Sequence, residues 1–197
     1  MDYHLIGALI TFAFVSTITP GPNNIMLASS GANFGFSRTI PHMLGIGLGF
    51  SFMVFLVGVG LIQIFDLYPM SYSILKTVSI TYLVYLAYKI ATTSVDKDNQ
   101  QQTQPLSFLQ AASFQWVNPK AWTMALTAMS AYTPSHSVQS ILLCAVIFAL
   151  VNLPSVSFWT LVGRQSRQVL SNPARLRLFN IIMAGLLIAS IYPLLFD

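Results

Sequence analysis

Lys120 lies deep inside a long apolar stretch and directly follows Asn118 and Pro119. An ammonium group at the centre of a bilayer costs about 2.5–3.5 kcal/mol on insertion scales, so we expect a compensating partner for it. Three outcomes are open: the side chain reaches the interface, it pairs with a carbonyl such as that of Gln115, or it binds an anionic group in a wet cavity. The last would make Lys120 a carboxylate-binding residue.

A second unusual stretch, Thr-Pro-Gly-Pro-Asn-Asn at 19–24, interrupts the first apolar segment. Proline lacks an N–H and clashes with the carbonyl four residues earlier, so Pro20 and Pro22 release the carbonyls of Ser16 and Ile18. In hydrocarbon such groups are satisfied by the protein or face a water-lined cavity. The stretch therefore predicts either an ordinary proline kink or one wall of a binding site.

The two interruptions have similar sequences, since each places proline next to asparagine roughly midway along its apolar segment. A pair of Pro/Gly-interrupted segments at corresponding positions of two halves is the best sequence indicator of a transporter binding site. The candidate substrate-binding residues are Pro20, Gly21, Pro22, Asn23, Asn24, Asn118, Pro119 and Lys120.

His42 precedes a glycine-rich segment and is a candidate proton relay, because its ordinary pKa is close to physiological pH; the alternative is an interface residue. No Asp or Glu lies inside an apolar segment. If transport is proton-coupled, the proton must travel on Lys120, His42, water or the substrate.

Enzyme chemistry is not expected. The chain has neither His-Glu-x-x-His nor Gly-x-Ser-x-Gly, and it has no paired carboxylates within apolar segments. The three histidines are dispersed, and the single cysteine, Cys144, leaves no basis for an internal disulfide or a Cys metal site. We therefore expect no metal and no cofactor, and we interpret Cys144 as inert packing.

The composition is that of a membrane protein. Only 7% of the 197 residues are charged and 55% are hydrophobic, where soluble domains carry about 25% charged residues. We expect a single integral membrane domain over residues 1–197, without a cleaved signal peptide, since no Lys or Arg precedes the first apolar run. The lipid bilayer is a partner, whereas nucleic acid is not, because the basic residues form no stripe or recognition motif.

Spans of about 20 apolar residues predict six transmembrane helices, at residues 5–30, 39–65, 71–93, 106–132, 138–162 and 178–196. The second is rich in glycine, and Gly45 with Gly49 forms a small-xxx-small pattern that favours close helix packing. A polar stretch at 94–105 reads as a linker between repeat one (1–93) and repeat two (106–197).

Basic residues predict the orientation of these spans. Arg38 follows the first span and Lys89 with Lys97 follows the third. One short predicted loop after the fifth contains Arg164, Arg167, Arg175 and Arg177. The positive-inside rule predicts that these three loops, the second of which is the linker, are cytoplasmic and that both termini are periplasmic. Three spans per half then invert the second half relative to the first. The predicted fold is an all-α membrane protein of two inverted three-helix repeats, with broken helices in spans 1 and 4.

Four motifs resemble the lysine exporter (LysE/RhtB) family over nearly the whole length. They are Thr-Pro-Gly-Pro-Asn-Asn at 19–24, the glycines at 45–49, Tyr-Leu-Val-Tyr-Leu-Ala-Tyr-Lys at 82–89 and Asn-Pro-Lys-Ala at 118–121. The resemblance implies a bacterial inner-membrane exporter of amino acids or close derivatives, driven by the proton-motive force. The motif at 19–24 and Lys-Ile-Ala-Thr at 89–92 look most like cysteine/O-acetylserine exporters, although members exporting homoserine, threonine, leucine or lysine share most of the pattern.

We therefore expect alternating access around a cavity between the two broken helices. Lys120 and helix N-termini would hold the substrate carboxylate, and the carbonyls of Ser16, Ile18 and Gln115 would hold its ammonium group. The absence of intramembrane acids favours a small neutral zwitterion over a cationic substrate such as lysine. The alternative is a passive channel or a non-transporting membrane subunit, and the oligomeric state is open, with a homo-oligomer among the options.

Overall fold

A computed structural model describes residues 2–61, 63, 67–68, 70–93, 104–133, 137–170 and 172–192, and all regular elements in these ranges are helical. The α-helices are α1 (Tyr3–Ile18), α2 (Pro22–Phe34), α3 (Phe36–Leu56), α4 (Met70–Ala91), α5 (Phe108–Phe114), α6 (Pro119–Tyr132), α7 (Val138–Val169) and α8 (Pro173–Ala189). A π-helix (Val57–Leu61) follows α3, and a 3-10 helix (Gln115–Val117) follows α5. Most of the predicted linker, residues 94–103, and the predicted end of the last span, 193–196, lie outside the described residues.

Several helices are suited to crossing a membrane. Among the described residues, three segments have the necessary length and hydropathy: Phe36–Leu61, Met70–Ala91 and Val138–Arg167. Helices α1 and α2 pass the same test together, as a pair bent by 54°, and would make a fourth. The all-α membrane class is thus confirmed. The arrangement of six spans in two inverted repeats stays a prediction.

The first break separates two helices. The Thr19 N–H still bonds to the Val15 carbonyl at 3.2 Å, but Pro20 has no N–H to continue the series. Pro22 then begins α2, with Gly21 as its N-cap. Proline is well suited to a first helical turn, because the N–H that it lacks would have no helical partner there. The residues at 19–24 therefore end one helix and start another.

The second break also ends one helix and starts the next at a proline. The chain becomes extended at Asn118, with φ −95° and ψ 109°, and Pro119 is the first residue of α6. The Asn118 side-chain oxygen accepts a hydrogen bond from the Lys120 backbone N–H at 3.1 Å. This N-cap satisfies one of the free donors at the helix start and fixes the backbone from which the Lys120 side chain projects.

The helices of the two halves pack in matching patterns. Helix α7 contacts both parts of the first broken helix, α1 and α2, and helix α3 contacts both parts of the second, α5 and α6. Helices α3 and α7 also contact each other, as do α4 and α8. Exchanging α1–α4 with α5–α8 reproduces each of these contacts. The two breaks are therefore brought together by α3 and α7.

Glycines mark the closest helix crossings. A Cβ atom at Gly49 would lie 2.5 Å from the Ala112 Cα in α5, and one at Gly45 would overlap the Phe108 carbonyl. The Gly45–Gly49 pair is thus a helix-packing site, as its spacing predicts. A second crossing, of α2 with α7, brings the Gly163 backbone against that of Ala28.

The arginines occupy a different setting from the predicted one. Arg164 and Arg167 lie in α7, and Arg175 and Arg177 lie in the first two turns of α8, so the prediction that all four share a loop is wrong. Backbone hydrogen bonding does not depend on apolar side chains, and α7 therefore continues beyond its apolar residues. Only residues 170–172 connect the two helices, but the four arginines remain at the same end of the fold.

Candidate functional site

A polar cavity lies where the two breaks meet. Its lining residues come from both broken helices and from the two helices that hold them together. They are Ser16, Thr17, Gly21, Asn23, Asn24, Ile46, Phe50, Asn118, Lys120, Ala121, Met124 and Asn152. Five of the candidate residues thus share one cavity: Gly21, Asn23, Asn24, Asn118 and Lys120. Pro20, Pro22 and Pro119 are in the helix breaks that shape it.

The Lys120 ammonium group bridges the two breaks. Its Nζ donates to the Thr19 carbonyl at 2.7 Å, to the Thr19 Oγ1 at 2.9 Å and to the Pro20 carbonyl at 3.3 Å. These three acceptors match the three donors of an ammonium group. They also lie at the C-terminal end of α1, where the helix dipole favours a positive charge. In this conformation the compensating partner of Lys120 is therefore the other broken helix, and not the Gln115 carbonyl.

A pair of amides forms a second bridge. Asn23 Nδ2 donates to Gln115 Oε1 at 2.9 Å, and Gln115 Nε2 donates back to Asn23 Oδ1 at 3.1 Å. Gln115 Nε2 also donates to the Ala111 carbonyl at 2.9 Å. The side chain of Gln115 was not among the predicted site residues. Its signal in the sequence is a glutamine within an apolar segment, three residues before Asn118, where the second break begins.

Side chains occupy the carbonyls that the prolines release. Asn24 Nδ2 donates to the carbonyls of Thr17 and Thr19, at 2.7 Å each. The Trp159 Nε1 donates to the Ile18 carbonyl at 2.9 Å, and the Thr19 hydroxyl donates to that of Ser16 at 3.0 Å. The carbonyls of Ser16 and Ile18, two of the three expected to hold a substrate ammonium group, therefore accept from protein donors in this conformation.

Asn152 is a site residue that the sequence did not single out. It is 5% exposed and lines the cavity from α7. Among the described residues, no hydrogen bond joins its side-chain amide to another group. A buried amide without a partner is costly unless water or a ligand satisfies it, so Asn152 is available to bind what enters the cavity.

The cavity is small in this conformation. The space open to the centres of water molecules is about 30 Å³. One water requires about 10–15 Å³ on this measure, so the cavity has room for roughly two. An amino acid is larger than two water molecules, so the lining residues must rearrange before one can occupy this cavity.

His42, the candidate proton relay, lies elsewhere. It is 1% exposed and belongs to a second cavity whose lining residues are distinct from those around Lys120. The second cavity is lined by Met26, Ser29, Ser30, Phe34, His42, Leu86, Lys89, Ile90, Thr93, Gln104, Pro105 and Leu106. Direct proton exchange between His42 and Lys120 is not part of this geometry, and the relay stays a prediction.

Gly21 offers a direct test of the Lys120 bridge. A Cβ atom there would lie 2.8 Å from Lys120 Cδ and 3.1 Å from Nζ, so Gly21→Ala should displace the flexible lysine and leave the helices in place. A displaced ammonium group would lose a charge-assisted hydrogen bond to the substrate carboxylate expected there, which costs about 1.5–3 kcal/mol, so we expect a loss of tenfold or more in kcat/KM. Transport in proteoliposomes measures it. The matched control is Gly47→Ala, since a Cβ at Gly47 would meet no described atom within 4 Å apart from its chain neighbours and the backbone of its own helix; equal activity of both variants would contradict the prediction.

The fold and the cavity define a multi-pass membrane protein with a polar site between two broken helices, the architecture used by many secondary transporters. Residues 14–191 match the family model described as LysE type translocator. The chain belongs to this family, which confirms the resemblance and the expectation of a translocator instead of an enzyme.

Curated relatives cover almost the entire chain. It is 30% identical over 186 residues to the "Cysteine/O-acetylserine efflux protein" of Escherichia coli O157:H7, covering 93% of this chain and 94% of that protein. The protein of that name from strain K12 is 28% identical over the same shares of the two chains. No solved structure matches the chain.

Proposed function

We propose that the protein is a bacterial inner-membrane secondary transporter that exports small amino acids or their derivatives, driven by the proton-motive force. Neutral substrates such as cysteine, O-acetylserine, homoserine and threonine suit the site best. The family and the names of the relatives support export of this class. The observation that carries the proposal is the convergence of both broken helices on one cavity that contains Lys120.

Lys120 links substrate binding to movement of the two halves. A substrate carboxylate is a better acceptor for its ammonium group than a neutral carbonyl, because the attraction between opposite charges is added to the hydrogen bond. Once Lys120 turns to the carboxylate, the end of α1 loses the bonds that Thr19 and Pro20 make. Substrate binding thereby removes one bridge between the broken helices and favours their separation.

The donor set suits a neutral zwitterion. The cavity residues include one cation, Lys120, and the amides of Asn23 and Asn152, whereas the described lining contains no Asp or Glu. The substrate carboxylate would bind Lys120, and amide oxygens would accept from its ammonium group. A second positive charge on the substrate would meet Lys120 without a compensating carboxylate, which disfavours lysine as a substrate.

The proposed topology is one domain with six spans in two inverted repeats and both termini in the periplasm. Support comes from the matching contacts of the two halves. In addition, Arg38, Lys89 and Arg164 lie near helix ends that the positive-inside rule assigns to the cytoplasm. Cysteine substitution at the termini and labelling with a membrane-impermeant reagent tests this topology.

Counterflow in proteoliposomes tests the proposed function. Vesicles loaded with unlabelled substrate should accumulate labelled cysteine, O-acetylserine, homoserine or threonine, because a carrier exchanges one molecule for another. An imposed proton gradient should stimulate net transport. A passive channel shows no such trans-stimulation, and a non-transporting subunit shows no flux above that of empty vesicles. Either result would overturn the proposal.

A further inference from the structure

The cavity around His42 contains polar groups without partners. Both ring nitrogens of His42 are buried and make no hydrogen bond to another described residue. A histidine ring always presents at least one N–H donor, and leaving buried donors and acceptors unpaired is costly. The ring lines an open volume, but both of its nitrogens lie beneath the cavity wall, so a ligand in the cavity reaches them only when the side chain turns.

The charge in this cavity is positive. Lys89 contributes an ammonium group to the lining, and Ser29 and Ser30 contribute hydroxyl groups from α2. No Asp or Glu occurs among the described lining residues. The Ser30 hydroxyl is already bonded to that of Thr39 at 2.9 Å. An anion that accepts hydrogen bonds therefore fits this set of residues.

The volume limits the size of that anion. About 50 Å³ is open to water centres, enough for roughly four water molecules at 10–15 Å³ each. A carboxylate with the first atoms of an amino acid has this size, although the whole substrate would extend through the opening. The cavity around Lys120 is smaller, at about 30 Å³.

The two cavities follow one another along the same pair of helices. Helix α3 presents Ile46 to the cavity around Lys120 and His42, one turn earlier, to the other. Helix α2 likewise presents Asn23 to the first and Met26 to the second. The His42 cavity also contains Thr93, beyond the end of α4, so it lies at the end of the fold that we assign to the cytoplasm.

We infer that the His42 cavity is a cytoplasmic access site, where Lys89 and His42 bind the carboxylate of a substrate before it reaches Lys120. The inference rests on the proposed export of small amino acids and adds a second binding site to it. Lys89 supplies the charge, and His42 supplies an N–H donor that has no partner among the described residues. A substrate would thus pass from a cavity that contains Lys89 to a cavity that contains Lys120, and the two cavities are lined by α3 residues one helical turn apart.

The test compares the KM for substrate at the two membrane faces. In inside-out vesicles, Lys89→Gln should raise the KM about tenfold, the cost of one charge-assisted hydrogen bond, with kcat within about twofold of wild type. In right-side-out vesicles the KM for external substrate should not change. Lys89→Arg should preserve both values, and His42→Phe should raise the KM in inside-out vesicles more than His42→Gln, which keeps a donor.

Lys76→Gln is the matched control, since it removes the same charge from the same helix at a position outside both cavities. Wild-type KM in Lys89→Gln, or an equal rise at both faces, would overturn the access site. So would an effect that disappears in vesicles without anionic lipid, because a lipid headgroup would then be the ligand. Failure of the proposed function gives a different result: the wild-type protein itself would show no counterflow.

Discussion

Lys120→Met is expected to abolish export while the protein still inserts and folds. Methionine nearly matches the length of the lysine side chain but removes the ammonium group that bonds to Thr19 and Pro20. It also removes the positive charge that we propose binds the substrate carboxylate. Each charge-assisted bond is worth about 1.5–3 kcal/mol, so kcat/KM should fall by a factor of a hundred or more.

The assay is initial-rate counterflow with equal amounts of purified wild-type and variant protein in the membrane. Lys76→Met provides the control, because Lys76 lies in α4 and lines neither cavity. Size-exclusion elution in detergent establishes that the variant has folded. Export by Lys120→Met at the wild-type rate would show that Lys120 has only a structural role and would remove the central element of the proposed mechanism.

Gly163→Ala is expected to have the largest effect on stability. A Cβ atom at this position would overlap the backbone of Ala28, where α7 crosses α2. Neither helix backbone can yield as a flexible side chain does, so α2 and α7 must move apart. Overpacking of this kind costs about 1–3 kcal/mol, and it disturbs the helix that carries Asn23 and Asn24. Thermal unfolding in detergent should therefore begin several degrees lower, with a lower yield in the membrane.

Gly47→Ala is the matched comparison, because Gly47 is also buried in a long helix but has open space where the Cβ would be placed. This variant should unfold at or slightly above the wild-type temperature, since alanine favours the helical state by about 1 kcal/mol relative to glycine. If Gly163→Ala were as stable as Gly47→Ala, the close crossing of α2 and α7 would not contribute to the fold.

In the proposed mechanism the substrate replaces contacts that join the two broken helices. Two bridges, Lys120 to the end of α1 and Asn23 to Gln115, join the broken helices across it. In the first bridge a carboxylate can replace the neutral carbonyls that accept from the Lys120 ammonium group, whereas the second bridge is a neutral amide pair. A zwitterion can satisfy both, since its carboxylate binds Lys120 and its ammonium group is a donor for amide oxygens. A simple anion would release only the first bridge.

The sequence by itself determined the membrane class, both helix breaks and the unusual position of Lys120. These features follow from local rules. A proline removes one backbone donor wherever it occurs, and a charge in an apolar segment needs a partner whatever the fold. The close packing at Gly45 and Gly49 was predictable for the same reason, because a missing side chain permits close approach of backbones. The length of α7 was not predictable from the sequence, because backbone hydrogen bonds extend the helix beyond its apolar side chains.

Only the tertiary structure decided which groups meet. Thr19 and Lys120 are 101 residues apart, and Asn23 and Gln115 are 92 apart. Helical periodicity states which residues share a face, but it does not state which helix that face will contact. For the same reason the sequence did not predict that Asn152 lines the cavity around Lys120, or that His42 lines a different cavity. Each helix break is determined by its local sequence, whereas the contact between the two breaks depends on how α3 and α7 pack against them.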